Sequence, residues 1–413
     1  MKDEKKRRRC SCFEWFQLII SISIPIIIAI YTILENNRDQ AIATRNRAED
    51  LKLVYQQRQE AVFQDCLKKL GKLVEEYGED LNQSSSAILV ARFTTLSALN
   101  QLDRVQRNFL VRLLYDAKLI TYESIDSQPI ISLNSADLTD LDLLDEIDQR
   151  ILIQLSLVDT ILNHANFHQI NIYGARFQRA VLINADFSWT WNSPSFDDLN
   201  YSKYSPNIFF NEANLTSTNF NFATYDHVDF SEAIMIKTNM KNFLCIQCLF
   251  LSATMNEIHL ENSVIRNSSF TFARLDYANF YQAYFHEFVD FYRADIHYAN
   301  ANYTNFTQCD FIGAKLSHTQ FDHAVIVNTT FSSALMENVS LKYSRIINGN
   351  FEDANLVESN WRYAYCENCV FDRTNFMNAD LSNARFVRCN FRNCILNDEQ
   401  LKQIDLMGNS ILS

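Results

Sequence analysis

The sequence predicts a repeat solenoid preceded by a transmembrane helix and a small α-helical region. Two observations predict it. Stepping by five from Phe291 to Leu396 visits 22 positions, and 20 of them hold a large apolar residue, ten of these Phe. Two residues before each, 20 of 22 positions hold Ala, Cys, Thr, Ser or Gly, and the other two hold Val. Such self-similarity marks units that bury their cores only by stacking. The second observation is an uncharged run, Phe16 to Leu34, of 19 residues. Composition narrows the function classes. Six Gly among 413 residues disfavour Gly-rich phosphate loops, and a net charge of −12 disfavours a general nucleic-acid binder.

The N-terminal elements follow in chain order. Residues 1–15 form a basic segment with Lys2, Lys5, Lys6, Arg7, Arg8 and Arg9. About 20 apolar residues as helix cross the hydrocarbon core, so 16–34 is expected to be a single-pass span bound by membrane lipid. Trp15 and Tyr31 sit near its ends, where such rings prefer the interface. Six basic residues before it and three after it (Arg38, Arg45, Arg47) place the N-terminus in the cytoplasm by the positive-inside rule. The solenoid is then expected to be lumenal or extracellular. Cys10 and Cys12, beside the span, are candidates for S-palmitoylation. Residues 35–83 read as a helical stalk. Phe63, Leu67, Leu70, Val74, Tyr77 and Leu81 step by four and three, a coiled-coil seam for a second copy or for the helices that follow. Residues 84–125 read as a helical hairpin, with serines at 84–86 and Asp103 as caps.

The solenoid is expected over 130–396. A register offset by one carries the same rule from Leu215 to Phe285. An extra residue between Phe285 and Phe291 predicts a bulge. Phe230, Phe250 and Phe270 are 20 apart, and Phe291, Phe311, Phe331, Phe351, Phe371 and Phe391 continue at 20. That predicts nine Phe in one core column. Residues 188–206 interrupt the repeat with Trp189, Trp191, Pro194 and Pro206, which makes this a candidate partner loop. Residues 397–413 are expected to cap the end, starting with a helix at Asp398, or to join two copies end to end.

The pattern Ala-Asn-Leu at 354–356 and Ala-Asp-Leu at 379–381 resembles the pentapeptide-repeat family, over about two-thirds of the chain. The resemblance implies a mainly β fold, a right-handed four-sided β-helix of 20 residues per coil, some twelve coils in all, with both the small and the large residue pointing inward. The order of span, stalk and repeat also resembles membrane-anchored members of the family.

The chemistry-bearing residues are mostly absorbed by this architecture. Cys245-Ile-Gln-Cys248 and Cys366-Glu-Asn-Cys369 lie 121 residues apart, too far to share one metal ion, and their cysteines fall on inward positions. His318 and His323 fall on outward positions and read as surface residues. We read no catalytic, cofactor-binding or metal-ligating set. Of eight Asn-x-Ser/Thr sequons, Asn82 and Asn200 are the credible glycan acceptors. The function expected is a non-enzymatic, membrane-tethered scaffold that presents a long surface to a protein partner. Two alternatives are an enzyme with a surface site on the β-helix, and a DNA mimic that inhibits topoisomerases. The second is disfavoured, because residues 161–396 set 16 basic groups against 22 acidic ones.

Overall fold

The computed structural model describes residues 12–124, 127–143, 151–192, 208–403 and 405–407. The chain divides into two compact units, one ending at Gln64 and one starting at Asp65. Helix α1 (Cys12–Tyr77) supplies the first unit and opens the second. The fold is a right-handed β-solenoid with an N-terminal helical region.

The expected transmembrane helix at 16–34 is overturned. Among the described residues no helix is long and apolar enough to cross a membrane. The apolar run is part of the 66-residue helix α1. The helix then runs on unbroken through Glu35, Arg38 and Asp39. The lipid contact, the single-pass topology and the lumenal or extracellular placement all rested on this span and go with it, since the positive-inside rule applies only to a segment that crosses. The coiled coil is likewise not supported. Val74 is exposed, α1 stops at Tyr77, and Leu81 lies in the 3-10 turn Gly78–Gln83.

Two short helices follow, each started by a capping side chain. Ser84 accepts from the Ala87 amide at α2 (Ser85–Leu99), and Asp103 accepts from the Gln106 amide at α3 (Arg104–Asp116). Such caps satisfy backbone donors that the helix leaves open. The chain then lays Leu119–Tyr122 across the first coil. Thr121 bridges Leu155 antiparallel, the Ile131 amide donates to Leu119 O (2.7 Å), and the Ser156 amide donates to Ile120 O (3.0 Å). Arg176 locks this junction. Its guanidinium lies 3.5 Å from the Tyr122 ring centre and donates to Ser127 O at 2.7 Å. The solenoid's open edge is thereby covered.

The solenoid itself is a stack of parallel bridges spaced 20 residues apart. One face forms a ten-stranded parallel sheet, from Thr224–Asp226 to Asp405–Met407, with nine turns between its first and last strands. The other faces are held by single bridges such as Lys315↔Leu335 and Gln320↔Ser340. Bridge-only coils extend the stack towards the N-terminus, through Ile151↔Asn171, Asn171↔Trp191 and Trp191↔Thr224. The turn of each coil sits on the second residue after the large apolar one. Left-handed backbone occurs at 47 described non-glycine residues, all but Lys118 and Phe288 at this turn position, among them Tyr298 (φ 59°) and Asn338 (φ 57°).

The core is aromatic and continuous. The nine Phe from Phe230 to Phe391 stack at 4.5–5.1 Å between ring centres, and Phe177 and Phe210 extend the column. This matches the separation of neighbouring strands. Small residues fill the space the rings leave. From Thr218 to Thr374, where the small residue is Thr, its hydroxyl returns a bond to the preceding coil, as from Thr319 to Ile296 O at 2.6 Å. At the far end α4 (Asp398–Gln403) closes the stack. The buried Gln400 amide donates to Phe376 O (2.6 Å) and Ala379 O (3.0 Å).

The inserted residue is taken up at Glu287 and Phe288. Register steps by 21 at Phe285↔Phe306 and returns to 20 at Val289↔Cys309. Glu287 (φ 60°) and Phe288 (φ 66°) are the one consecutive left-handed pair among the described residues.

Phe331 is fully buried between two stacked neighbours. Phe331→Ala is expected to lower stability by about 3–5 kcal/mol, read from the urea unfolding midpoint.

Candidate interaction surface

The outward positions inherit the same 20-residue spacing as the core, so like positions in successive coils form columns on the surface. At one corner Tyr277, Tyr298 and His318 stack at 5.1 and 4.7 Å. At the next corner Tyr303, His323, Tyr343 and Tyr363 stack at 4.7, 5.0 and 5.0 Å. All seven occupy left-handed turn positions, and the five tyrosines are 46–60% exposed. The two columns form aromatic rails along one face of the rod.

Between the rails the face is polar. Asn279, Asn300, Gln320, Ser340 and Asn360 succeed one another in register. Their amides are held in place: Asn300 Nδ2 donates to Asn279 Oδ1 at 3.0 Å, and Asn302 Nδ2 donates to Gln320 Oε1 at 3.1 Å. Charges of both signs follow, with Lys342 Nζ 3.6 Å from Asp322 and Arg362 3.9 Å from Asp380. The rings cover one another's faces and offer edges and hydroxyls outward. The result is a flat, rigid strip of hydrogen-bonding groups bordered by aromatic edges.

Ion pairs elsewhere on the rod obey the same register. Asp159 meets Arg179, Asp295 meets Lys315, and Asp353 meets Arg373, each one coil away at 2.7–2.8 Å. The Arg373 guanidinium beside Asp353 holds that carboxyl below its ordinary range.

A family model for pentapeptide repeats matches eight copies, over residues 156–191, 213–242, 290–326, 350–386 and 359–398. The chain belongs to the pentapeptide-repeat family. No curated protein matches it. Among solved structures, a trypsin-treated variant of QnrB1, a plasmid-mediated fluoroquinolone resistance protein, is 18% identical with a TM-score of 0.29, covering 44% of this chain and 86% of that one. HetL, a pentapeptide repeat protein involved in heterocyst differentiation regulation from the cyanobacterium Nostoc, is 17% identical with a TM-score of 0.20, covering 62% and 90%. The periplasmic alginate epimerase AlgG is 10% identical with a TM-score of 0.27, covering 68% and 84%.

The residues singled out from the sequence are scattered through this pentapeptide-repeat protein. Cys10 and Asn200 lie outside the described residues, as do 193–207, most of the candidate loop. Cys12 is the first residue of α1. Asn82 is exposed in the 3-10 turn and borders a groove of about 520 Å³ with Tyr115, Tyr122 and Gln154. Trp189 and Trp191 lie within the last coil before 193–207. Trp189 is half exposed at a corner and stacks on Phe222 at 4.4 Å, while Trp191 bridges Asn171 and Thr224. The structure brings none of these together with the railed face. The rails themselves went unread, although His318 and His323 were already placed outward. Applying the 20-residue spacing to outward positions would have found them.

The cysteines line the core. Cys245 and Cys248, one at a large and one at a small inward position, are disulfide-bonded with Cα atoms 6.1 Å apart. Reading both as packing residues missed this pairing. Two inward positions flanking one corner also meet the distance requirement of a disulfide. Six further thiols are suppressed as nucleophiles. Burial pushes Cys66 up to about 11 and Cys394 to about 12, and raises Cys309 and Cys366. The contact with Cys366 raises Cys369, and that with Cys369 raises Cys389. The thiolate is the reactive form. At pH 8 Cys66 in the folded protein is expected to alkylate about a hundredfold more slowly than in urea, Cys309, Cys369, Cys389 and Cys394 at least as slowly, and Cys366 more slowly than in urea, read site by site by mass spectrometry.

Proposed function

We propose that this pentapeptide-repeat solenoid is a non-enzymatic scaffold that binds a protein partner along the face between the two aromatic rails. The observation that carries the reading is the pair of stacked, half-exposed Tyr/His columns flanking a strip of ordered amides. Tyr with Asn and Ser is the chemistry of protein-recognition surfaces. Tyr supplies large, rigid contact area with few rotatable bonds, and the amides supply hydrogen bonds. Stacking has already restricted the rings, so little side-chain freedom remains to be lost on binding. Mixed charges along the strip favour a definite register of the partner over diffuse attraction. Recognition fits better than catalysis because ring edges and fixed amides are poor acids and bases, and the rings' faces are turned to one another.

The triple variant Tyr303→Ser, Tyr343→Ser, Tyr363→Ser tests this. Each ring contributes roughly 0.5–1.5 kcal/mol of stacking, so the variant is expected to stay folded by circular dichroism. Proteins cross-linked to the wild-type rod in its native extract are expected to be lost from the variant. An unchanged set of cross-linked proteins would refute the assignment of this face.

A further inference from the structure

The bulge at Glu287 and Phe288 opens a cleft of about 550 Å³ at a different corner, lined by Phe288, Asp290, Gln308, Cys309, Asp310 and Asn328. Two features set it apart from the rest of the rod. Phe288 is a bulky residue in the left-handed region and is 71% exposed, so its apolar ring has little cover from the chain. A left-handed turn is routine on this rod, but two in succession occur here alone among the described residues. Next, the cross-coil charge rule is reversed. Where Asp159, Asp295 and Asp353 each meet a cation one coil on, Asp290 is in direct register with Asp310. Neither has an ion-pair partner among the described residues.

Both carboxylates are also held in place, as aspartates elsewhere on the rod are. Asp290 accepts from the Tyr292 amide (2.7 Å) and the Thr271 hydroxyl (2.7 Å), and Asp310 accepts from the Ile312 amide (2.7 Å). Burial, and then the neighbouring Asp290 charge, push the Asp310 carboxyl above its ordinary range. Two half-buried like charges beside an uncovered ring are unfavourable locally. A cation with an apolar stem would relieve both strains at once.

We propose that the cleft binds an arginine side chain presented by a basic protein segment, its guanidinium taken by Asp290 and Asp310 and its planar face by the Phe288 ring. Arginine fits better than lysine because its flat, forked cation can stack on a ring while donating to two carboxylates. The site is independent of the railed face and can stand or fall without it.

The test is fluorescence anisotropy of the full chain with a labelled acetyl-tetraarginine amide at 150 mM salt. Saturable binding to the wild type is expected. Phe288→Ala and Asp310→Asn are each expected to weaken it about tenfold, which is about 1.4 kcal/mol, and Phe288→Tyr to retain it. Asp310→Asn keeps the acceptor for the Ile312 amide, and Phe288 is exposed, so both variants should melt with the wild type. Glu358→Gln removes one exposed carboxylate from another corner and is expected to change affinity less than twofold. Absence of saturable binding would overturn the proposal. So would equal weakening by Asp310→Asn and Glu358→Gln, which would signal diffuse attraction to an acidic rod, or an unchanged affinity in Phe288→Ala.

Discussion

The structure depends on one constraint: each coil must find its hydrogen-bond partners in the coils above and below it. The Phe331 amide donates forward to Asn350 O at 2.6 Å, and the Thr330 amide donates back to Cys309 O at 3.1 Å. A polar backbone group buried without a partner is costly, so the spacing between coils cannot drift. That fixed spacing stacks the phenylalanines, places the Thr319 hydroxyl under Ile296 O, and forces the turn residues into the left-handed region, with glycine at only a few of them, such as Gly174 and Gly313. It also decides what the surface can be. Any outward residue stands roughly 4.8 Å from its counterpart one coil on, so surface chemistry is organised as columns rather than patches.

The interior was legible because it obeys a two-letter rule, small then large, that few other folds impose. Phe311, Phe331 and Phe351 could be placed in one column from spacing alone. The exterior obeys no such rule. Tyr303, His323, Tyr343 and Tyr363 are spaced as regularly, but their identities vary with whatever they meet, and a reading that followed burial passed over them. The apolar run before residue 35 misled in the opposite way. Hydropathy along the chain suggested a span, yet among the described residues no helix is long and apolar enough to cross a membrane. Trp189 and Trp191 were assigned to an interruption because prolines follow them. In the structure Thr190 still takes a small inward position and Trp191 still bridges its neighbours, so the coil runs on to Asn192.

The two candidate surfaces use the columns differently. The rails extend a favourable contact through successive coils, so that each ring is held by the next. The Phe288 cleft exists because the register fails once, which leaves Asp290 and Asp310 facing each other where every coil-to-coil ion pair noted above joins opposite charges. Surface ion pairs on the rod are individually weak. Their regular placement matters more for keeping unlike columns in step than for overall stability.

The four-sided repeat gives the rod a discrete geometry. Adding or removing 20 residues changes its length by one strand spacing, roughly 4.8 Å, and leaves every face pointing as before. Adding or removing five turns everything downstream by a quarter revolution. The single extra residue at 287–288 is smaller than either step, so the solenoid absorbs it locally and the first rail runs on past it, from Tyr277 to Tyr298 and on to His318. A lineage of such rods can therefore vary in reach without re-aiming its surface, and can re-aim its surface without varying its core.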